Sequence, residues 1–133
     1  MGYALVRFGS REVVANDVFV ELWMLEVSHV LSDDSKIDQW LIDLKAEWHL
    51  QATAGFGFGP EPSLETFVTT DERRIRLMHY FRLTLKTLRD RKEFYTPDEL
   101  SRFGVGGPTV LYAGDIPTQS VIDVGTEFVE LLS

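Results

Sequence analysis

No cysteine occurs among the 133 residues, which removes disulfide bridges, thiolate nucleophiles and thiolate metal sites at once. No apolar run approaches the ~18 residues of a membrane span. The start, Met1-Gly2-Tyr3-Ala4-Leu5-Val6-Arg7, has no basic region followed by an apolar stretch, and Val6 stands where a myristoylation signal needs a hydroxyl residue. A cytoplasmic protein without membrane contact is the expectation. Positive charge is scarce as well: 13 Lys and Arg face 21 Asp and Glu, a net charge of −8. That balance disfavours nonspecific attachment to nucleic acid or anionic lipid and favours a basic partner.

Catalytic signatures are missing too. His29, His49 and His79 include no pair at the i, i+4 spacing that puts two metal ligands on one helix face, and no G-x-S-x-G elbow occurs. Gly55-Phe56-Gly57-Phe58-Gly59 lacks the Lys-Ser/Thr of a phosphate loop. The adjacent carboxylates Asp33 and Asp34, or Asp98 and Glu99, sit at helix starts, where acids commonly complement the helix dipole. No catalytic residue, metal or cofactor is expected on these grounds.

Apolar content is ample. Hydrophobic residues make up 44% of the chain, with nine Phe, four Tyr and three Trp, enough to fill the core of one domain over residues 1–133. The periodicity predicts a mainly α (α or α+β) fold, a single compact helical domain with a short two-stranded ribbon. Helices are expected at 17–31, 36–52 and 71–92, with a further one at the C-terminus. Val18 to Leu31 is apolar nearly all round, as in a central helix, which places Val18, Phe19, Leu22, Trp23, Leu25 and Val30 in the core and makes His29 a hydrogen-bonded core histidine. Ile37, Trp40, Leu41, Leu44 and Trp48 recur at the spacing of one buried face. Ser10 reads as the cap of a helix through Arg11 to Val14. Tyr3 to Phe8 and Thr109 to Ala113 are the strand candidates, each a partner for the other. Thr96-Pro97-Asp98-Glu99 opens a short helix ending by Gly104, and Gly125 weakens the terminal helix by about 1 kcal/mol relative to alanine.

The charge is distributed unevenly. Eight of the 13 cations lie between Arg73 and Lys92 with the single acid Asp90, making that segment +7 and leaving −15 for the remainder. His79, Arg82, Lys86 and Arg89 follow one another at helical steps of three or four residues. Four such groups repel, so acidic side chains from neighbouring elements are expected to cover them. A bare stripe would instead mark this face as the binding surface.

Two functional readings follow. In the first, the chain is a small acidic protein-binding module, an inhibitor or immunity-type protein that neutralises a basic partner such as a toxin nuclease. Its acidic surface would be Asp33, Asp34, Asp38, Asp43 and Glu47, which mimic phosphate charge and speed encounter with a cationic cleft. In the second, a small enzyme or anion-binding domain gathers His79, Tyr80, Arg82, Lys86, Phe56 and Phe58 around a ligand. Nucleic acid is not an expected partner, because the −15 of the rest of the chain opposes it.

Overall fold

Tyr3, Leu5 and Arg7 alternate with Ala4, Val6 and Phe8, and after Gly9-Ser10 the run Arg11 to Asn16 holds Val13, Val14 and Ala15 between polar ends. The structure is a computed structural model that describes residues 2–54, 59–108, 110 and 112–133. In it the two runs form a hairpin of β1 (Tyr3–Phe8) and β2 (Arg11–Asn16), with Phe8 opposite Arg11 and Tyr3 opposite Asn16. Gly9 takes φ +62° at the first turn position, a conformation glycine adopts without steric cost and the hairpin turn requires. The helix expected from Ser10 is therefore a strand, because pairing with β1 satisfies the Arg11–Asn16 backbone. The pairing of Tyr3 to Phe8 with Thr109 to Ala113 is likewise replaced. Val110, Tyr112 and Ala113 are not in a strand, and Thr109 and Leu111 lie outside the described residues.

Helix α1 (Asp17–Ser32) starts where the Asn16 side chain accepts the Val18 N–H at 2.9 Å. Leu22, Trp23 and Leu25 are fully buried, and Val18, Phe19 and Val30 pack half-buried at the core's margin. A short connection returns the chain along α1 as α2 (Gln39–Thr53), which starts three residues later than expected, with Asp38 and not Asp33 or Asp34 at its N-cap. Leu41, Leu44 and Trp48 of α2 are buried; Ile37, just before it, and Trp40 are half-buried. After the short α3 (Leu64–Phe67) comes α4 (Asp71–Arg89). Thr70 caps it by accepting the Arg73 N–H. The helix stops at Arg89, short of Lys92.

The ribbon β3 (Phe94–Tyr95) with β4 (Ile116–Pro117) brackets α5 (Pro97–Phe103) and leads into α6 (Thr118–Leu132). Thr96 and Glu99 form the reciprocal cap of α5, and Gly104 ends it at φ +74°. Four helices meet in an aromatic cluster: Trp23 of α1, Trp48 of α2, Phe81 of α4 and Phe128 of α6, with ring centroids 5.5 to 6.1 Å apart. Aromatic contacts of this kind, edge-to-face or stacked, add about 1 kcal/mol each beyond burial. The fold is thus mainly helical, one compact domain, with six helices among the described residues.

Candidate functional site

The first turn of α4 and the segment that links α1 to α2 face each other across an open cleft of about 790 Å³. One wall carries Asp34, Asp38 and Trp40; the other carries Thr70, Glu72, Arg73, Arg76, His79 and Tyr80. Both walls include a helix N-cap, Asp38 for α2 and Thr70 for α4, so the positive ends of two helix dipoles border the same space.

The charges differ in how far they are engaged. Asp34 accepts the Lys36 backbone N–H at 3.0 Å and the Tyr80 hydroxyl at 2.8 Å. These two bonds, in that order, with smaller contributions from Arg76 and His79, hold its carboxyl below the usual range against the burial that would raise it. Arg73 lies over the Trp40 ring at 5.0 Å and donates to the Phe67 carbonyl at 3.1 Å. Arg76 sits 5.9 Å from the Tyr80 ring centre, and the His79 ring meets Tyr80 edge-on at 5.4 Å. Asp38 makes no capping bond with its side chain, and neither Asp38, Glu72, Arg76 nor His79 belongs to an ion pair among the described residues.

From His79 at the edge of the cleft, α4 goes on to present Arg82, Lys86 and Arg89 to solvent. The expected acidic cover is absent: the five ion pairs among the described residues involve none of these four. The opposite side of α4 supplies the reason. Leu77, Phe81, Leu85 and Leu88 are buried, which turns the stripe away from the packed elements, and acids such as Glu26 and Glu99 serve other partners. Ile75 at 58% and Leu83 at 38% exposure lie on this outward side.

The five acids singled out from the sequence differ in their partners. Asp34 is tied to Tyr80. Asp43 accepts from Gln39 and Glu47 from Gln51, each one helical turn away. Asp33 and Asp38 are exposed. Of the alternative ligand set, His79 and Tyr80 reach the cleft, whereas Arg82 and Lys86 lie further along α4 and do not line it. Phe56 and Phe58 lie outside the described residues. His29 is a correction: it is exposed on the surface of α1, hydrogen-bonded to Glu26 at 3.4 Å, not a core residue.

Comparison with known protein families, curated proteins and solved structures found no match. Among the described residues, no group of three or more His, Asp or Glu could hold a metal ion. No helix there is long and apolar enough to cross a membrane.

One polar cluster escaped the sequence reading. Glu21 is buried at 8% exposure within α1, and burial first, then the Asp17 carboxylate one turn earlier, push its carboxyl up to about 7. One oxygen of each carboxylate is buried without a hydrogen-bond partner among the described residues. The Tyr112 hydroxyl, which donates to the Val105 carbonyl at 2.8 Å, is raised to about 12 by burial and by Glu21. The available signal was the pair of acids at i, i+4 on a helix otherwise apolar; it reads as two interruptions until burial is known.

Proposed function

We propose that this chain is a protein-binding module whose partner engages the outward face of α4. The observation that carries the reading is the bare row His79, Arg82, Lys86 and Arg89. Like charges one helical turn apart destabilise a helix by about 0.2–0.5 kcal/mol per pair, and Arg82, Lys86 and Arg89 join no ion pair among the described residues that would offset that. Exposed Ile75 and Leu83 add apolar anchors beside the cations, the mixture that suits the acidic amphipathic helix of a protein partner. The basic, toxin-like partner suggested by net charge is less favoured, since three of its five acidic contacts are engaged within the molecule. Nucleic acid fits poorly, for its dense phosphate charge meets the −15 of the remaining chain.

The test is retention of proteins from native lysate by the immobilised chain, comparing wild type with the Arg82→Glu, Lys86→Glu, Arg89→Glu triple variant. All three positions are exposed, so the variant should keep its circular dichroism spectrum. Wild type should retain an acidic protein that the variant loses, and retention should fall steeply between 50 and 300 mM salt, roughly the range over which screening becomes strong. Equal retention by both proteins would place the partner on another face.

A further inference from the structure

The cleft between the α1–α2 connection and the start of α4 presents opposite charges that face one space without pairing to each other. We propose that it binds a small zwitterion, a free amino acid or a short peptide with free termini, with its ammonium against Asp38 and its carboxylate against Arg76 and His79.

Three observations converge on this. Asp38 occupies an N-cap position, where an aspartate ordinarily accepts a backbone N–H of its own helix, yet its side chain makes no such bond and joins no ion pair among the described residues. The carboxylate is thus available to a cation, with Glu72 exposed on the facing wall. On the basic side, Arg73 is committed to the Trp40 ring and the Phe67 carbonyl, whereas Arg76 and His79 lie beside the Tyr80 side chain and join no ion pair among the described residues. The N-terminus of α4 borders the cleft at Thr70 and adds a weak attraction for the carboxylate. Asp34, whose carboxyl feels Arg76 and His79, forms no ion pair with either and is held by the Lys36 N–H and the Tyr80 hydroxyl.

The volume of about 790 Å³ lies in the range of ligand clefts. A single amino acid leaves much of it open, whereas two to four residues would lie along Trp40, Ile75 and Tyr80. This site shares His79 and Ile75 with the outward face of α4 but not Arg82, Lys86 and Arg89, and its ligands are small molecules, so its test does not depend on a protein partner.

Tryptophan emission provides the readout. Trp23 and Trp48 are fully buried and Trp40 is the half-exposed member of the three, so a ligand in the cleft should alter mainly Trp40. Glycine, leucine and trialanine would be titrated against the full chain, with trialanine acetylated at its N-terminus and amidated at its C-terminus as the uncharged control. Saturable change with any of the first three, and none with the capped peptide, is the expected result; trialanine binding more tightly than the amino acids would identify peptides as the class, and the reverse order free amino acids. Asp38→Asn and Arg76→Gln should each weaken binding about tenfold, the loss of one charge-assisted hydrogen bond. Absence of binding by all three, equal binding of the capped peptide, or indifference to both substitutions in folded protein would overturn the proposal.

Discussion

Glu21 shows how much one residue's surroundings decide. Its carboxyl, near 7 in the folded chain against an ordinary 4.5, binds its proton more tightly in the native state than in the unfolded one. The native state therefore holds more protons between these two values, and stability falls as pH rises through that window. The shift corresponds to roughly 3 kcal/mol at most. Glu21→Gln should stabilise the protein by about 1–2 kcal/mol at pH 8 and change little at pH 4.5, as read from urea denaturation at the two pH values; equal effects at both would show that the carboxyl's charge is not what the site resists. Gly125 makes a complementary case. A Cβ there would lie 2.4 Å from the Trp23 ring, so Gly125→Ala should cost about 2 kcal/mol or more through overpacking, reversing the gain of about 1 kcal/mol that alanine brings to an isolated helix. Thermal melting decides the sign. The sequence marked both residues only as departures from a pattern, Glu21 in an apolar run and Gly125 in a helix, because what makes each necessary comes from other elements.

Among the elements, those with local signals were legible. The helix start at Thr96-Pro97, the stop at Gly104 and the apolar spacing of α2, α4 and α6 are each set by residues close in sequence, and the structure places them as read. The hairpin was missed because Val13 and Val14 fit a helix pattern as readily as a strand over so short a run. Gly9-Ser10, a two-residue turn signal between two six-residue runs, was the deciding sign. Pairings between distant segments left no trace in the pattern. The end of α4 illustrates one: the Arg91 guanidinium stacks 3.6 Å from the Tyr95 ring centre and donates to Glu99 at 2.7 Å and Thr118 at 3.1 Å, joining α4, β3, α5 and α6. Both charges of the Arg91–Glu99 pair are largely shielded from water, so Arg91→Ala should destabilise by about 2 kcal/mol through the lost Glu99, Thr118 and Tyr95 contacts, with Lys92 at 3.3 Å left as the remaining cation of Glu99. A loss under about 1 kcal/mol in chemical denaturation would reduce the bridge to an ordinary surface pair.

At the scale of the whole molecule, charge separation is the feature that composition and structure share. The sequence located the +7 segment, but the side to which its cations turn depends on which face of α4 the core takes. The core took Leu77, Phe81, Leu85 and Leu88, and the row from His79 to Arg89 was left to solvent. The cleft was legible only in pieces, since Asp38 and His79 belonged to rival readings and the fold brings them together. Lysine acetylation footprinting of the chain, free and bound to the protein it retains from lysate, tests the account most directly. Lys86 lies within the cationic row, while Lys45 on α2 and Lys92 beyond the end of α4 lie off it. The account predicts that binding protects Lys86 several-fold and leaves Lys45 and Lys92 as reactive as before; a complex in which Lys86 stays fully reactive while the other two are shielded would contradict it.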